Sequence, residues 1–270
     1  MIKTRLIPVI LLKGDLVVQS FGFNRWLPIG NVKTAIEFFV NWDVDEIVIL
    51  DTHATNENRG PRLDIIDEAV KRCFVPISIG GGIRRLEHIR DVLNAGADKI
   101  AINTIAWQQP EFISRAAERF GSQCVTVSID AKQLSPGEYR ACVGNGRVDT
   151  GISPADWARR AVEYGAGEIL LNSVDRDGSR LGYDIELLRS VTGSVNVPVI
   201  ACGGVGQISH LSEGALKGGC QAVAAANIFQ HTELSTIAAK AHLKRSGVPV
   251  RLSSEVQYAN FEFDQLGRPL

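Results

Sequence analysis

The sequence predicts a single (β/α)₈ barrel, and three observations support this fold class. Eight short apolar runs alternate with amphipathic stretches along the 270 residues. The runs are almost continuously apolar, as in parallel strands that are buried on both faces. The second half of the chain also repeats features of the first. A doubly wound open sheet is the alternative, but such sheets usually carry a glycine-rich fingerprint after the first strand, and this sequence has none.

The eight apolar runs are the predicted barrel strands. They cover residues 6–12, 46–51, 77–79, 99–103, 125–129, 168–172, 199–202 and 222–226. The predicted helices between them include residues 32–40, 62–73, 86–95, 110–120, 155–164, 185–192 and 208–217. We expect residues 1–250 to form the barrel and residues 251–270 to form a tail that packs on the barrel or meets a partner.

The internal repeat is the strongest of the three observations. Residues 76–105 align with residues 198–229, with a proline, a glycine pair and a histidine in common. Residues 45–65 resemble residues 167–185 in the same way, so that Glu46 matches Glu168. The first strand of each half ends in LLK or DAK, which makes Leu11 the counterpart of Asp130. Two similar halves are a typical feature of a barrel built from half-barrels.

Composition and charge exclude several classes of function. The 29 basic and 30 acidic residues nearly cancel, so nothing indicates binding to nucleic acid or to a membrane surface. No apolar run approaches the roughly 18 residues of a membrane span. Five cysteines without a C-x-x-C pair favour reduced thiols in a cytoplasmic protein. The histidines lack metal-ligand spacing, and we expect no metal and no organic cofactor.

In this fold the functional residues lie at the C-terminal ends of the strands. Glycine pairs follow the third strand (Gly81-Gly82) and the seventh (Gly203-Gly204), and each next strand ends just before a helical turn. Glycines and helix starts suit the binding of phosphate, so two repeat-related sites predict a ligand with a phosphate at each end. The alternative is that the glycines only make tight turns.

Three acids also lie at or just beyond strand ends, namely Asp51, Asp130 and Asp177. A carboxylate in such a position can act as a general acid or base, or it can serve as a cap or salt bridge. At the opposite ends, Arg5, Glu46, Lys99 and Glu168 start what we take to be alternate strands. Charges that point into an apolar barrel require pairing, so these four predict a neutral ring, functional or purely structural.

The sequence resembles the cyclase subunit of imidazole glycerol phosphate synthase over residues 1 to about 251. The segments that carry the resemblance are RLIPV, DEIVILD, ISIGGGI, AGADKIAINT, FGSQCVTVSIDAK, DTGI, GAGEILLNSVDRDG and ACGGVG. The resemblance implies a barrel that works with a glutaminase subunit in histidine biosynthesis. Ammonia from that partner would cross the barrel axis and join a bis-phosphorylated ribulosyl substrate, with imidazole glycerol phosphate and an aminoimidazole carboxamide ribonucleotide as products.

The resemblance also implies roles for individual residues. The four ring residues match the family's ammonia gate, and Asp98 and Gln123 match its docking face for the glutaminase. The two phosphate sites match Gly82, Asn103, Thr104, Gly178, Gly204, Ala226 and Asn227, with Asn227 in place of a serine. Asp130 matches one of the family's two catalytic aspartates.

The second catalytic aspartate of the family falls at Leu11, which cannot exchange a proton. Gln19 replaces a lysine on the family's mobile active-site loop, and Asp15 lies beyond the strand, where only a rearranged loop could bring it into the site. This pattern resembles a paralogue branch that occurs with surface-polysaccharide (O-antigen) genes. The branch implies a subunit that pairs with a glutaminase and passes ammonia to a separate sugar amidotransferase.

Three hypotheses follow from these residues. The first is an ammonia-conducting subunit for amidation of a surface sugar, which has lost ring closure. The second is a lyase of the histidine pathway that closes the imidazole ring despite Leu11. The third is a barrel without catalysis that binds a phosphorylated ligand or activates its partner.

Overall fold

A computed structural model gives the fold, and it describes residues 3–230, 235–264 and 269. Eight parallel strands form the barrel. In chain order they are β1 (Arg5–Lys13), β4 (Ile47–Asp51), β5 (Ile77–Gly80), β6 (Lys99–Ile102), β7 (Val125–Ser135), β10 (Glu168–Ser173), β11 (Val199–Cys202) and β12 (Ala222–Ala225). Each strand pairs with the next, and β12 pairs in parallel with β1, with Arg5 opposite Ala222. The barrel is therefore closed, and the predicted fold class is confirmed.

Helices pack around the outside of the barrel. They are α1 (Val32–Val40), α2 (Leu63–Val70), α3 (Leu86–Asn94), α4 (Thr104–Gln108), α5 (Glu111–Phe120), α6 (Pro154–Glu163), α7 (Ile185–Thr192), α8 (Ser209–Leu216) and α9 (Thr236–Arg245). Side-chain caps begin four of them, because Asn31, Ser153, Asp184 and Ser235 each accept a hydrogen bond from the backbone N–H three residues ahead. None of the described helices has the length and hydropathy that a membrane crossing requires.

Two hairpins on the rim were not predicted. β2 (Leu16–Phe21) and β3 (Arg25–Gly30) follow β1, while β8 (Glu138–Val143) and β9 (Val148–Asp149) extend β7. Pro28 interrupts the strand pattern of β3, and proline is tolerated there because β3 is an edge strand that pairs with β2 alone. The predicted end of β7 at residue 129 was also too early.

Several other predicted boundaries were wrong by a few residues. The strand predicted over residues 99–103 ends at Ile102, because Asn103 is the N-cap residue of the short helix α4. Glu46 stands one residue before β4, and the helix predicted over 62–73 covers only Leu63–Val70.

Alternation along the strands separates two apolar layers. In β1, Leu6, Ile10 and Leu12 face the helices, whereas Ile7, Val9 and Leu11 join a smaller cluster inside the barrel. The other buried members of that inner cluster are Val18 of the first hairpin and, on the barrel strands, Val48, Leu170, Ile200, Ala222 and Ala224. Because successive side chains of a strand point to opposite faces, the inner residues define a lumen between the two mouths of the barrel.

The tail packs beside α9 within the described residues. Phe261 and Phe263 stack on each other, and the Phe263 ring meets His242 with a centroid distance of 5.4 Å. Tyr258 donates a hydrogen bond to Asp43, and Arg251 pairs with Asp45 at 3.3 Å. The division into a barrel of 1–250 and a tail of 251–270 stays a prediction, and residues 265–268 and 270 lie outside the described part of the chain.

Candidate functional site

A cavity of about 530 Å³ opens at the C-terminal mouth of the barrel. Every barrel strand contributes a residue at the C-terminal mouth, either within the strand or just beyond its end: Leu11, Asp51, Gly81, Asn103, Asp130, Asn172, Cys202 and Ala226. The cavity also touches both rim hairpins, through residues such as Gln19, Trp26 and Asn145. The predicted rim residues thus come together in one site.

The first predicted phosphate site depends on close backbone packing. Gly82 has φ +72, and a Cβ built on it would lie 2.7 Å from the carbonyl oxygen of Arg59. A side chain there would displace the backbone, so glycine is required whether or not a ligand binds. Asn103 and Thr104 lie beside it at the start of α4, and all three residues line the cavity.

The second predicted phosphate site has the same construction in the other half. Gly204 has φ +100, and a Cβ on it would lie 2.2 Å from the carbonyl oxygen of Gly182. Ala226 and Asn227 stand at the start of a 3₁₀ turn, Asn227–Gln230. The Asn227 side chain already donates a hydrogen bond of 2.8 Å to the carbonyl oxygen of Ser20 in the hairpin.

Asp177 ties the first hairpin to the site. Its carboxylate accepts hydrogen bonds from Ser20 Oγ at 2.6 Å and from the backbone N–H of Phe23 at 3.2 Å, and its backbone oxygen accepts from the N–H of Gly22 at 3.1 Å. Burial raises the pKa of Asp177, and these hydrogen bonds lower it in part. The geometry makes Asp177 an anchor of the hairpin.

Asp130 is the most perturbed acid of the cavity. Its side chain is buried and accepts a 2.8 Å hydrogen bond from Asn103 Nδ2. Burial raises the pKa of Asp130 to about 7, the hydrogen bond from Asn103 lowers it, and the nearby charge of Asp177 raises it. A carboxyl that titrates near neutral pH is suited to proton transfer.

No second free acid stands near Leu11 in the described structure. Leu11 packs in the inner cluster beside Val18, Leu50 and Trp26. Asp15 pairs with Arg62 at 2.8 Å, and its side chain is 81% exposed. The structure therefore gives no sign of the loop rearrangement that would bring Asp15 into the site.

Asp51 is held by groups of its own loop. Its Oδ1 accepts from Arg59 at 2.9 Å and from the backbone N–H groups of His53 and Ala54 at 3.1 Å each. This environment favours the salt-bridge interpretation of Asp51 over a catalytic one.

The four predicted ring residues meet at the N-terminal mouth. Arg5 contacts Glu46 at 2.6 Å and also pairs with Glu168, while Lys99 Nζ lies 2.9 Å from Glu46 and 3.1 Å from Glu168. Both carboxylates are almost fully buried. Burial alone would lower the pKa of Arg5, but the carboxylates of Glu168 and Glu46 raise it above its ordinary value. The strand assignment needs one correction, because Arg5 starts the first barrel strand, next to Glu46, and only the other three alternate.

The lumen between the ring and the cavity has a polar side and an apolar side. Ser78, Thr126 and Ser128 are buried polar residues of β5 and β7, and they border the apolar inner cluster, since Ser78 lies beside Val48 and Ser128 beside Leu170 in the sheet. Ser78 Oγ and Glu46 Oε1 have no hydrogen-bond partner within the described protein. Asp98 and Gln123, the predicted docking residues, are exposed at the same end of the barrel as the ring.

Comparison with known proteins decides the family. The family of histidine biosynthesis proteins matches residues 5–235. The chain belongs to this family. It is 59% identical over 269 residues to the Vibrio vulnificus protein named "Putative imidazole glycerol phosphate synthase subunit hisF2", covering 100% of this chain and 98% of the relative. It is 46% identical over 255 residues to the imidazole glycerol phosphate synthase subunit HisF of Caulobacter vibrioides, covering 94% of this chain and 98% of the relative.

The chain is thus a HisF-like subunit, and the resemblance to the cyclase family is confirmed. The similarity to a second HisF is consistent with a paralogue branch. The roles of the individual residues remain predictions. No group of three or more His, Cys, Asp or Glu side chains in the described chain is arranged to hold a metal ion.

Sequence reasoning missed part of the cavity wall. Arg84, in the first half of the chain, lines the cavity and donates a hydrogen bond to Asn58. Arg180, in the second half of the chain, also lines the cavity and has a backbone φ of +63. Arg84 follows Gly80, Gly81 and Gly82, and Arg180 lies between Gly178 and Gly182. These glycines were the sequence signal that could have placed both arginines at the cavity. Trp26 meets His53 edge-on at 5.5 Å, and it was missed because the hairpin itself was not predicted.

Proposed function

We propose that this HisF-like subunit conducts ammonia from a glutaminase through its barrel to a separate enzyme that amidates a sugar of a surface polysaccharide. The observation that carries the proposal is the contrast between a complete charged ring and a cavity where Leu11 stands across from Asp130. Ring closure of the family's kind needs an acid and a base, and removal of one such group typically lowers the rate by about 10² to 10⁴.

The ring supports the entry step. Asp98 and Gln123 would contact the glutaminase beside it, and the ion pairs of Arg5 and Lys99 with the two glutamates would open when ammonia passes. Ser78 Oγ and Glu46 Oε1, which have no protein partner, offer hydrogen bonds to a small polar molecule in the lumen. The apolar side of the lumen suits neutral ammonia better than ammonium.

The cavity at the C-terminal mouth supports the release of ammonia rather than closure of an imidazole ring. Asp51 is engaged by its own loop and Asp177 by the first hairpin, so Asp130 is the acid we assign to proton transfer. The phosphate sites would still hold a phosphorylated ligand, with Gly82, Asn103 and Thr104 on one side and Gly178, Gly204, Ala226 and Asn227 on the other. We place the protein in the cytoplasm, where glutamine is available.

A working cyclase of histidine biosynthesis is the second candidate. The pKa of Asp130 near neutrality and the identity with HisF favour it. It requires that one carboxyl serve both as acid and as base, or that substrate supply the second group.

The deciding experiment is cyclase turnover with ammonium salt and the bis-phosphorylated ribulosyl substrate, which bypasses the glutaminase. We expect no turnover by the wild type and a gain of activity in Leu11→Asp that disappears in Leu11→Asp/Asp130→Asn. Turnover by the wild type that is lost in Asp130→Asn would establish the cyclase and overturn the proposal.

Passage through the lumen can be tested in the Leu11→Asp background. Ala224→Leu adds a larger side chain to the inner cluster, so glutamine-dependent turnover should fall while ammonium-dependent turnover continues. The retained activity with ammonium is the control for folding. An equal loss with both nitrogen sources would argue against conduction through the barrel.

A further inference from the structure

Exposed apolar side chains gather on the C-terminal rim, outside the cavity. Six of the nine large hydrophobic residues that are exposed in the described chain lie on the two hairpins, at the end of β7 or on the loop after β10: Leu16, Leu27, Ile29, Leu134, Val148 and Leu181. None of the six lines the cavity. A small ligand in the cavity would therefore leave them uncovered, and such clustering marks an interaction site in many proteins. We call this set, with the hairpins that carry it, the rim surface.

The rim surface also has unpaired strand edges. β3 pairs with β2 alone, and β9 pairs with β8 alone. Leu27, Pro28 and Ile29 are exposed along β3. Edge strands with exposed apolar side chains are places where another protein can add a strand or pack its own apolar residues.

The charge of the rim surface is positive. Lys13, Arg25, Lys132, Arg147 and Arg180 are exposed there and form no ion pair within the described chain. Three neighbouring acids are neutralised, because Asp15, Glu57 and Glu138 pair with Arg62, Arg59 and Arg140. Asp149 and Asp175 are exposed and form no ion pair within the described chain, so the five free cations outnumber the free acids of the rim.

Two of these cations, Lys13 at the end of β1 and Arg147 between β8 and β9, act on the same histidine next to the cavity. Burial lowers the pKa of His53 at the mouth, and the charges of Lys13 and Arg147 lower it further. Lys13 and Arg147 thus both lie close to His53, although they come from different parts of the rim.

We propose that the rim surface is the docking site for a second protein with an acidic surface, an enzyme that receives nitrogen at the cavity mouth. A second copy of this chain fits poorly, because a two-fold interface would place the same cations opposite each other. Nucleic acid fits poorly as well, because the apolar edge strands would stay uncovered. The inference rests on the proposed function for the nature of the partner, but the six apolar residues that define the surface lie outside the ring and the cavity.

The first test places a photo-crosslinking amino acid at Leu27 in the full chain, inside the cells that make it. The matched control carries it at Leu216, which is 58% exposed on α8. We expect one protein, other than this chain, to crosslink at Leu27 and not at Leu216, through an acidic segment. Crosslinks to a second copy, equal crosslinks at both positions, or none at Leu27 would overturn the proposal.

The second test measures the affinity of that purified protein for the full chain. Arg25→Glu/Arg147→Glu should raise Kd about tenfold or more, and the wild-type affinity should fall with added salt. Arg115→Glu/Arg119→Glu on α5 changes the net charge by the same amount at exposed positions and should leave Kd within about twofold. An unchanged Kd in the rim variant, or an equal change in the control, would overturn the proposal.

Failure of this proposal can be distinguished from failure of the proposed function. The rim variant leaves Leu11, Asp130 and the ring residues intact, so the turnover assays with ammonium and with glutamine report on the barrel independently of docking.

Discussion

The two mouths of the barrel treat charge in different ways. At the N-terminal mouth, Arg5 and Lys99 each pair with the carboxylates of both Glu46 and Glu168. At the C-terminal mouth, Asp130 is buried with one amide partner, and Leu11 stands at the repeat-related position. A paired ring can serve as structure or as a gate, whereas an unpaired buried acid is costly unless it has a use. We therefore predict that any remaining proton transfer depends on Asp130.

The largest expected effect comes from breaking the ring. Glu168→Gln removes the buried negative charge that pairs with both Arg5 and Lys99, which leaves two half-buried cations with Glu46 as their one remaining anionic partner in the ring. We expect the free energy of unfolding to fall by about 3 to 5 kcal/mol, measured by urea unfolding at pH 7.

The control for the ring is an exposed ion pair. Asp64→Asn breaks a pair with Arg62, but the Asp64 side chain is 64% exposed, so the loss should stay below about 1 kcal/mol. Equal losses in the two variants would mean that the ring is no more important to stability than a surface pair.

The next effect is the pH dependence of stability that Asp130 causes. In the unfolded chain an aspartate titrates near pH 4, whereas burial raises the pKa of Asp130 in the folded protein to about 7. The folded state binds more protons between these values, so the contribution of Asp130 to the free energy of unfolding falls as the pH rises through this window.

Asp130→Asn removes that contribution. The stability of Asp130→Asn relative to the wild type should therefore increase from pH 4.5 to pH 7.5, by up to roughly 4 kcal/mol for a shift of about three pKa units. Urea unfolding at a series of pH values measures the difference. Parallel profiles for the two proteins would mean that the pKa of Asp130 is not raised.

Residues of the ring and of the cavity could be predicted from regular patterns in the sequence. Alternation along parallel strands places residues at strand starts and ends, so Arg5, Glu168 and Asp130 could be assigned to a mouth without coordinates. The pairing of Leu11 with Asp130 followed from the repeat. These predictions depend on periodicity, which the sequence carries directly.

The rim could not be predicted because its contacts join distant, irregular segments. The bonds from Asp177 to Ser20 and Phe23 cross more than 150 residues, and no periodic pattern announces them. Because Pro28 interrupts the strand pattern, β3 was not predicted. The edge-on contact between Trp26 and His53 depends on that strand, so it could not be predicted either. Loops take their structure from the surface on which they pack, so their side chains are the least predictable part of the site.

A smaller effect tests whether the tail supports the N-terminal mouth. Tyr258 donates to Asp43, which also contacts the fully buried Lys240 at 3.3 Å, and Asp45 beside it accepts a 2.9 Å bond from the backbone N–H of Leu6. Tyr258→Phe removes a hydrogen bond to a charged acceptor, so we expect a loss of about 1.5 to 2 kcal/mol in urea unfolding.

The matched variant for the tail is Tyr164→Phe. Among the described residues the Tyr164 hydroxyl has no hydrogen-bond partner, and its removal should change the free energy of unfolding by less than about 0.5 kcal/mol. A neutral Tyr258→Phe would mean that the tail does not stabilise the loop that precedes Glu46.

The smallest effect concerns the closure of the C-terminal mouth by the first hairpin. Asn227 donates to the carbonyl oxygen of Ser20, and a serine is too short to make the same bond. We expect Asn227→Ser to lower the free energy of unfolding by about 1 kcal/mol and to raise amide hydrogen exchange in residues 16–30 about fivefold, because local opening of the hairpin becomes more frequent.

The control is Asn41→Ser, which removes a similar 2.8 Å bond to the carbonyl oxygen of Glu37 on α1 and should leave exchange in the hairpin unchanged. If exchange is unchanged in both variants, Asp177 alone holds the hairpin, and Asn227 is left free to serve a ligand. If it rises only in Asn227→Ser, the residue that replaces the family's serine has taken on the closure of the cavity, and the two mouths differ in how they are gated as well as in their chemistry.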